Sequence, residues 1–393
     1  MRSDRRSAFL LLLAGALPAA ASYADNESAV HWSASYTGDA WKIIDDGEAR
    51  RSAWLDLLEV GVAIDGAQVG APGWSASVTV HRDNGGSISR YVGDSAGLDN
   101  IEATGVTRLH EAWLEWHPAQ RQETSFKFGL VDLNSEFDVS DVGSTFVNST
   151  FGLGVDLAQS GVTGPSTYPL TALAVRGRWQ PNDLWRVHAA LFDGVPGKRS
   201  DPVRPTLQVS ARDGALRIVE LQYNRAAWRA YVGHWRYSAA LPVVGQDVDP
   251  ELRDARGSAG SYALVEAPLW LANDARALHA SVRYGVASAR HNPLDRTLQF
   301  ALRFERPWLG LEGEALGMAW AVARFGDPAR RAARLDGVNL ERYEHVLELT
   351  YRIPIGGRWV LQPDLQYVAY PGGVASPSRA LVAGLRFELD LSP

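Results

Sequence analysis

The stretch TLQFALRFER, residues 297–306, decides the fold class because its apolar and polar residues alternate with a period of two. One face carries Leu298, Phe300, Leu302 and Phe304, and the other carries Gln299, Ala301, Arg303 and Glu305. A β-strand with this pattern has one apolar face and one wet face. The same alternation recurs in LHASVRYGVA (278–287), YEHVLELTYRI (343–353) and LTALAVRGRW (170–179).

Extended along the chain, this alternation predicts about 16 strands, an even number within the range of bacterial outer-membrane barrels. They are predicted at 32–41, 52–65, 74–82, 107–117, 124–133, 170–180, 183–193, 215–224, 227–237, 259–271, 277–290, 296–305, 313–325, 342–355, 358–370 and 379–389. Their connections alternate between short ones, such as 181–182 and 356–357, and long ones, such as 134–169 and 238–258. Short periplasmic turns at one rim and long extracellular loops at the other produce such an asymmetry.

The direction of the polar face follows from the energy of burying charge in lipid. An arginine at the bilayer midplane costs roughly 2 to 4 kcal/mol, so several of them on the outside would exceed the net stability of a typical fold. The arginines of the alternating strands are therefore expected to point into a polar lumen: Arg176, Arg178, Arg283, Arg303, Arg352 and Arg386. A soluble β-sandwich or propeller is disfavoured, because the strands exceed the usual five or six residues and no blade-like repeat is present. The fold expected is an all-β, transmembrane antiparallel β-barrel.

The start of the chain predicts export. Three arginines precede the apolar run AFLLLLAGAL (8–17), and small residues follow it, which is typical of a cleaved signal peptide over 1–24. The remainder, 25–393, is expected to form a single outer-membrane barrel domain. The chain has no cysteine, so disulfides cannot stabilise it, and its net charge of −6 argues against nucleic acid as a partner.

Motifs for catalysis or metal binding are weak. GDSAG, residues 93–97, matches the G-x-S-x-G pattern around Ser95, but no helix signal follows it, as a nucleophile elbow requires. The histidines are scattered without metal-ligand spacing, and the acidic residues of 132–141 lack the pattern of a calcium loop. Neither an enzyme nor a cofactor or metal site is expected.

The segment 129–169 is a long Gly/Ser/Asn-rich insertion among regular strands. In a wide barrel, such a loop can fold inward and narrow the lumen. It can equally cap the barrel from outside. The pattern of the residues leaves both interpretations open.

Several stretches resemble the carbohydrate-selective porin family of the OprB type. They are GLVDLNSEFDVSD (129–141), STFVNSTFGLG (144–154), QSGVTGPSTYPLTALAVRGRW (159–179) and LHEAWLEW (109–116), and a thinner resemblance extends over 32–387. The resemblance implies a 16-stranded outer-membrane barrel that passes mono- and small oligosaccharides passively, with the third long loop folded into the pore. One departure is the chain end, where Phe387 is followed by ELDLSP rather than closing the sequence.

The polar pore wall of that family carries over to specific positions. The constriction is expected at Asp132, Asn134, Glu136, Asp138, Asn148, Arg176 and Arg178, with Phe151 as an aromatic contact for a sugar ring. The pore is expected to be lined by Trp116, Arg283, Arg303, Glu305, Glu348, Arg352 and Arg386. Paired arginines and carboxylates can replace the hydration of sugar hydroxyls, while binding must stay weak enough for the sugar to leave.

An alternative function is an anion- or phosphate-preferring porin, or a general diffusion porin, because of the inward arginine rows. Acidic partners such as Glu305, Glu348 and Glu388 dilute that positive field and favour sugars. The other expected partners are outer-membrane lipid, lipopolysaccharide and the barrel assembly machinery. The sequence leaves open whether the barrel is a monomer or a homo-oligomer.

Overall fold

The computed structural model describes residues 28–45, 51–121, 123–199, 203–375 and 379–393, so the predicted signal peptide lies outside the described residues. Sixteen antiparallel strands close into one barrel, in which β1 pairs with both β2 and β16. The strands are β1 Val30–Asp45, β2 Ser52–Asp65, β3 Trp74–Asp83, β4 Thr107–Trp116, β5 Thr124–Val131, β6 Ala172–Trp179, β7 Trp185–Asp193, β8 Ala215–Arg225, β9 Trp228–Tyr237, β10 Ala259–Leu271, β11 Ala277–Ala287, β12 Leu294–Glu305, β13 Ala315–Phe325, β14 Tyr343–Ile355, β15 Trp359–Ala369 and β16 Arg379–Asp390. The predicted fold class is confirmed.

The alternation in sequence sets the two faces of the wall. In β12, Phe300 is exposed on the outside and stacks on Trp320 of β13, while its neighbours Gln299 and Ala301 are buried inside. Closing the sheet leaves no unpaired strand edge, so the backbone hydrogen bonds are satisfied without water. The outer face is therefore free to be apolar.

The helices are few and lie in the connections: α1 Ser89–Val92, α2 Val155–Ala158 and α3 Asp327–Leu335. Single 3₁₀ turns cover Gly66–Val69, Leu133–Ser135, Gly143–Thr145, Ser149–Phe151 and Pro371–Gly373. Within the described ranges, no helix combines the length and the apolar character needed to cross a bilayer.

Two long connections at the same rim turn into the barrel, and we call residues 84–106 the second loop and residues 132–171 the inner loop. The second loop buries Ile88 and Leu98 against Trp41, Leu55 and Val382 of the wall. The Asn100 amide of the second loop donates to the Val147 carbonyl of the inner loop at 2.9 Å. The two loops therefore pack on each other as well as on the wall. Of the two alternatives for the insertion, the inward one is correct.

The expectation that Trp116 lines the pore is wrong. Trp116 is 37% exposed on the outer face and stacks on Trp74 and Phe126, each with ring centroids 6.0 Å away. The cause is a β-bulge at His110. In the pairing of β4 with β3, Glu111 and Leu109 have consecutive partners on β3, and His110 has none. A bulge shifts the alternation by one residue, so that Trp113 rather than Trp116 faces the lumen.

Candidate functional site

The two ends of the inner loop are tied together where β5 and β6 meet it. The Asp132 carboxylate accepts hydrogen bonds from the backbone amides of Asn134, at 2.7 Å, and Tyr168, at 3.1 Å. The Leu133 amide donates to the Ser166 carbonyl at 2.5 Å. This crosslink closes the loop at its base.

Three carboxylates of the wall hold the backbone of the inner loop, namely Glu220 of β8, Glu266 of β10 and Glu348 of β14. Glu220 accepts the amide of Asp138 at 2.8 Å, Glu266 that of Val142 at 3.0 Å, and Glu348 those of Val147 and Asn148 at 2.7 and 3.0 Å. Amides of an irregular segment need such acceptors because they have no strand partner. The loop is thus fixed across the whole width of the barrel.

Arg283 of β11 binds the inner loop at two separate points. Its guanidinium lies 2.6 Å from the Asp138 carboxylate and 2.7 Å from the Asp156 carboxylate, and all three side chains are at most 3% exposed. A Cβ atom at Gly154 would lie 2.0 Å from the Arg283 Nη1 atom, so a larger residue here would displace the guanidinium. Burial raises the pKa of Asp138 to about 6, although the guanidinium of Arg283 opposes this shift.

A second ion network fixes the loop near β5 and β6. Glu136 binds the Lys127 ammonium and, at 3.0 Å, the Arg176 guanidinium, which also lies 2.8 Å from Glu115. Burial alone would raise the pKa of Glu136, but the two cations outweigh it and lower the pKa to about 2. The carboxylate therefore stays ionised across the physiological range.

Substituting Glu136→Gln is expected to lower the free energy of unfolding by about 3 kcal/mol at pH 7, the value that a pKa fall from 4.5 to about 2 represents. Because the folded-state pKa is depressed, this stabilisation is fully present above about pH 4.5 and is lost as the pH falls toward about 2. Denaturant titrations of both proteins from pH 7 to pH 2 measure it. Glu312→Gln, on an exposed turn, is the control and should change little. A difference that does not shrink in acid would contradict this assignment.

Many of the predicted site residues are buried contacts of the loop rather than open pore wall. These are Glu136, Asp138, Asn148, Phe151, Arg176, Arg283, Glu348 and Arg386. Phe151 packs on Phe146, with ring centroids 5.1 Å apart, and so offers no face to a sugar. Arg386 lies 2.7 Å from Asp39 and 3.2 Å from Asp99 of the second loop. Their place in the structure gives them an anchoring role.

The remaining predicted residues are partly exposed. Asp132 and Asn134 lie at the base of the inner loop, while Arg178, Arg303, Glu305 and Arg352 lie at the strand ends nearest the short turns. We call the space between the inner loop and the short turns the short-turn half of the lumen. The Arg303 guanidinium lies 2.7 Å from Glu305 there, and the two Arg352–Glu388 hydrogen bonds are each 2.7 Å long.

Sequence reasoning missed three charged residues of the same region. Arg229 of β9 lies 3.2 Å from Asp141 and 2.5 Å from Glu266, and the side chains of Arg229 and Asp141 are 17% and 28% exposed. Arg186 of β7 donates to Gln180 at 3.0 Å. Both arginines occupy inward positions of alternating strands, so the period-two signal alone could have identified them. Asp141 could not be identified in this way, because the inner loop has no alternating pattern of apolar and polar residues.

Two further regions concern the weak catalytic and metal-binding motifs. The Ser95 amide donates to Glu344 at 2.9 Å, no helix follows before β4, and the Ser95 hydroxyl makes no described hydrogen bond to a histidine. The described part of the chain contains no cluster of three His, Asp or Glu side chains that could hold a metal ion. The Lys127 ammonium lies 4.2 Å from the ring centroid of Trp113, which faces the lumen.

Comparisons with known proteins agree with this architecture. The family model described as carbohydrate-selective porin, OprB family, matches residues 50–391. Porin B of Pseudomonas aeruginosa is 22% identical over 90% of this chain and 86% of its own length. The high-pH structure of Pseudomonas putida OprB superimposes with a TM-score of 0.81 at 17% identity, covering 92% of this chain and 94% of that one. The outer-membrane channel DcaP of Acinetobacter baumannii gives 0.53 at 11% identity, over 92% and 97%.

Proposed function

The chain belongs to the OprB family of carbohydrate-selective porins, and we propose that sugars cross it along the partly exposed arginines and carboxylates of the short-turn half of the lumen. It is an outer-membrane channel that passes sugars by diffusion. The proposal concerns which residues the sugar meets. Insertion by the barrel assembly machinery remains a prediction.

The observation that carries the proposal is the contrast in exposure along the lumen. Where the inner loop covers the wall, arginines such as Arg176 and Arg283 are buried and form ion pairs with carboxylates. Toward the short turns, Arg178 is 29% and Arg352 is 27% exposed. Only side chains that face open water can exchange that water for the hydroxyls of a passing sugar.

The chemistry suits a neutral polyol. Arginine supplies donors in a fixed planar fork, and the neighbouring carboxylates, Glu305, Glu388 and Asp141, supply acceptors. Sugar hydroxyls donate and accept, so they can replace lost hydration at both kinds of group. Each of these side chains is also partly exposed to solvent, which keeps the sugar weakly held and allows it to leave.

An anion-preferring channel is the second candidate, and one observation favours it. Arg186 forms no ion pair with any described carboxylate, and Arg178 lies 3.6 Å from its nearest, Glu115. This corner of the lumen is therefore more positive than the rest. It can attract anions without contributing to sugar binding, so the two functions are separable by experiment.

The double substitution Arg178→Gln/Arg186→Gln is expected to shift ion preference toward cations and to slow sugar entry several-fold, because it removes two guanidinium forks from the path. Planar-bilayer reversal potentials measure the first effect, and swelling of liposomes in isosmotic sugar measures the second. Arg225→Gln, which removes an exposed arginine at the end of β8, is the control and should change neither. A cation shift with unchanged sugar entry would favour the anion channel and reject the proposed sugar path.

A further inference from the structure

Two arginines lie directly opposite each other on the outer surface of the barrel. Arg217 of β8 pairs in register with Arg236 of β9, and both side chains are exposed. Their inward neighbours Leu216 and Tyr237 are buried, so the arginines point away from the lumen. Both stand at the strand ends that lead into the long connections 194–214 and 238–258, on the extracellular side.

No carboxylate of the described residues forms an ion pair with either arginine. Two described carboxylates lie within four residues of Arg217: Asp213 is bound to Arg199 at 2.6 Å, and Glu220 is buried on the lumen side. Like charges that face each other across two strands destabilise the sheet. An anion between the two guanidinium groups would remove this repulsion.

A similar pair elsewhere on the barrel is neutralised by the chain itself. Arg296 of β12 and Arg324 of β13 are also in register, on the same side of the membrane. There, Asp295 and Asp327 lie 3.4 and 3.7 Å from Arg324. Among the described residues, no carboxylate does the same for Arg217 and Arg236, which leaves room for an anion from outside the chain.

An apolar groove of about 520 Å³ runs down the outer wall directly below the arginine pair. It begins at Val219 and His234. These are the next outward-facing residues after Arg217 and Arg236, away from the extracellular rim. The small residues Ser261 and Ala263 of β10 form its floor. Its mostly apolar lining suits a hydrocarbon chain and offers little to a polar ligand.

We propose that Arg217, Arg236 and this groove bind a phosphorylated lipid of the outer leaflet, with a phosphate between the two guanidinium groups and an acyl chain in the groove. Arginine forks match phosphate oxygens in pairs, and these charge-assisted hydrogen bonds are among the stronger ones in proteins. The site faces lipid, with charge at headgroup level and an apolar surface below it, as an amphiphile requires. A free phosphate ion would leave the groove empty.

Native mass spectrometry of the full, folded chain with diphosphoryl lipid A tests the proposal. The wild-type protein is expected to retain the lipid, and Arg217→Gln/Arg236→Gln is expected to reduce the bound fraction about tenfold or more. Ala263→Trp, which fills the groove without changing charge, should reduce it as well. Inorganic phosphate and lipid A without its phosphates should bind weakly or not at all.

Arg82→Gln is the matched control, because Arg82 is another exposed outward arginine near the extracellular end of its strand but faces Thr107 and Leu58 rather than a second arginine. It should retain the lipid as the wild type does. Heat-modifiable migration on gels verifies that every variant is folded. The proposal is overturned if the double variant keeps its lipid, if Arg82→Gln loses it equally, or if the double substitution changes only the oligomeric state.

Discussion

Deleting Val142–Leu157 from the inner loop is expected to raise the single-channel conductance several-fold and to remove most of the discrimination among sugars. This segment carries the buried residues that fill the lumen between β10 and β15, including Phe146, Val147 and Leu153. With it removed, the cross-section is limited by the barrel wall, the second loop and the remaining ends of the inner loop. A wider, water-filled pore then passes solutes according to size rather than contact.

The barrel itself is expected to survive this deletion. Its strands are held by their own backbone hydrogen bonds in one closed sheet. Glu348 would lose its partners in the loop, and Arg283 would lose Asp156 but keep Asp138. Both side chains would then face water rather than a dry interior, so their charges would be hydrated.

Planar-bilayer conductance and liposome swelling with sugars of increasing size measure the effect of the deletion. A deletion within 203–212, part of the connection between β7 and β8, is the control and should leave the conductance close to that of the wild type. Unchanged conductance and unchanged discrimination in the Val142–Leu157 variant would show that the inner loop does not set the pore.

Substituting Arg283→Met is expected to lower the free energy of unfolding by about 3 to 5 kcal/mol, the range for removing one partner of a buried ion cluster. Two carboxylates, Asp138 and Asp156, would remain buried without their cation. The inner loop should also loosen, which would appear as excess noise in the open-channel current.

Denaturant titration and current recordings measure both effects of Arg283→Met. The control is Arg276→Met, which breaks the exposed Arg276–Asp274 pair on the turn between β10 and β11. Solvent screens an exposed pair, so this variant should be nearly as stable as the wild type. Equal losses in the two variants would mean that Arg283 does not anchor the loop.

The strands were predictable because the period-two signal is local and comes from the lipid outside and the water inside. Residues 227–237 were predicted for β9, which spans Trp228–Tyr237. β4 is an exception, because a bulge at His110 reverses which of its residues face inward, so that Trp113 and not Trp116 faces the lumen. Bulges depend on the partner strand, which a single sequence does not reveal.

The candidate site was less predictable because exposure within the lumen depends on the loop. Arg176 and Arg178 look equivalent in sequence, two residues apart on the same face of β6. Arg176 is covered by Glu136 and buried, whereas Arg178 lies one inward position nearer the turn and stays open. Alternation identifies which arginines face inward, but the path of an aperiodic loop decides which of them meet water.

The path of the sugar is tested most directly by a single cysteine at Arg178, since the chain contains no cysteine of its own. In a planar bilayer, a charged methanethiosulfonate reagent should reduce the current through Arg178→Cys, and a saturating permeant sugar should slow that reaction. Val175→Cys on the lipid-facing side of the same strand serves as the control and should be insensitive to the reagent. Modification of Arg178→Cys that leaves the current unchanged, or that sugar does not slow, would contradict the proposed path.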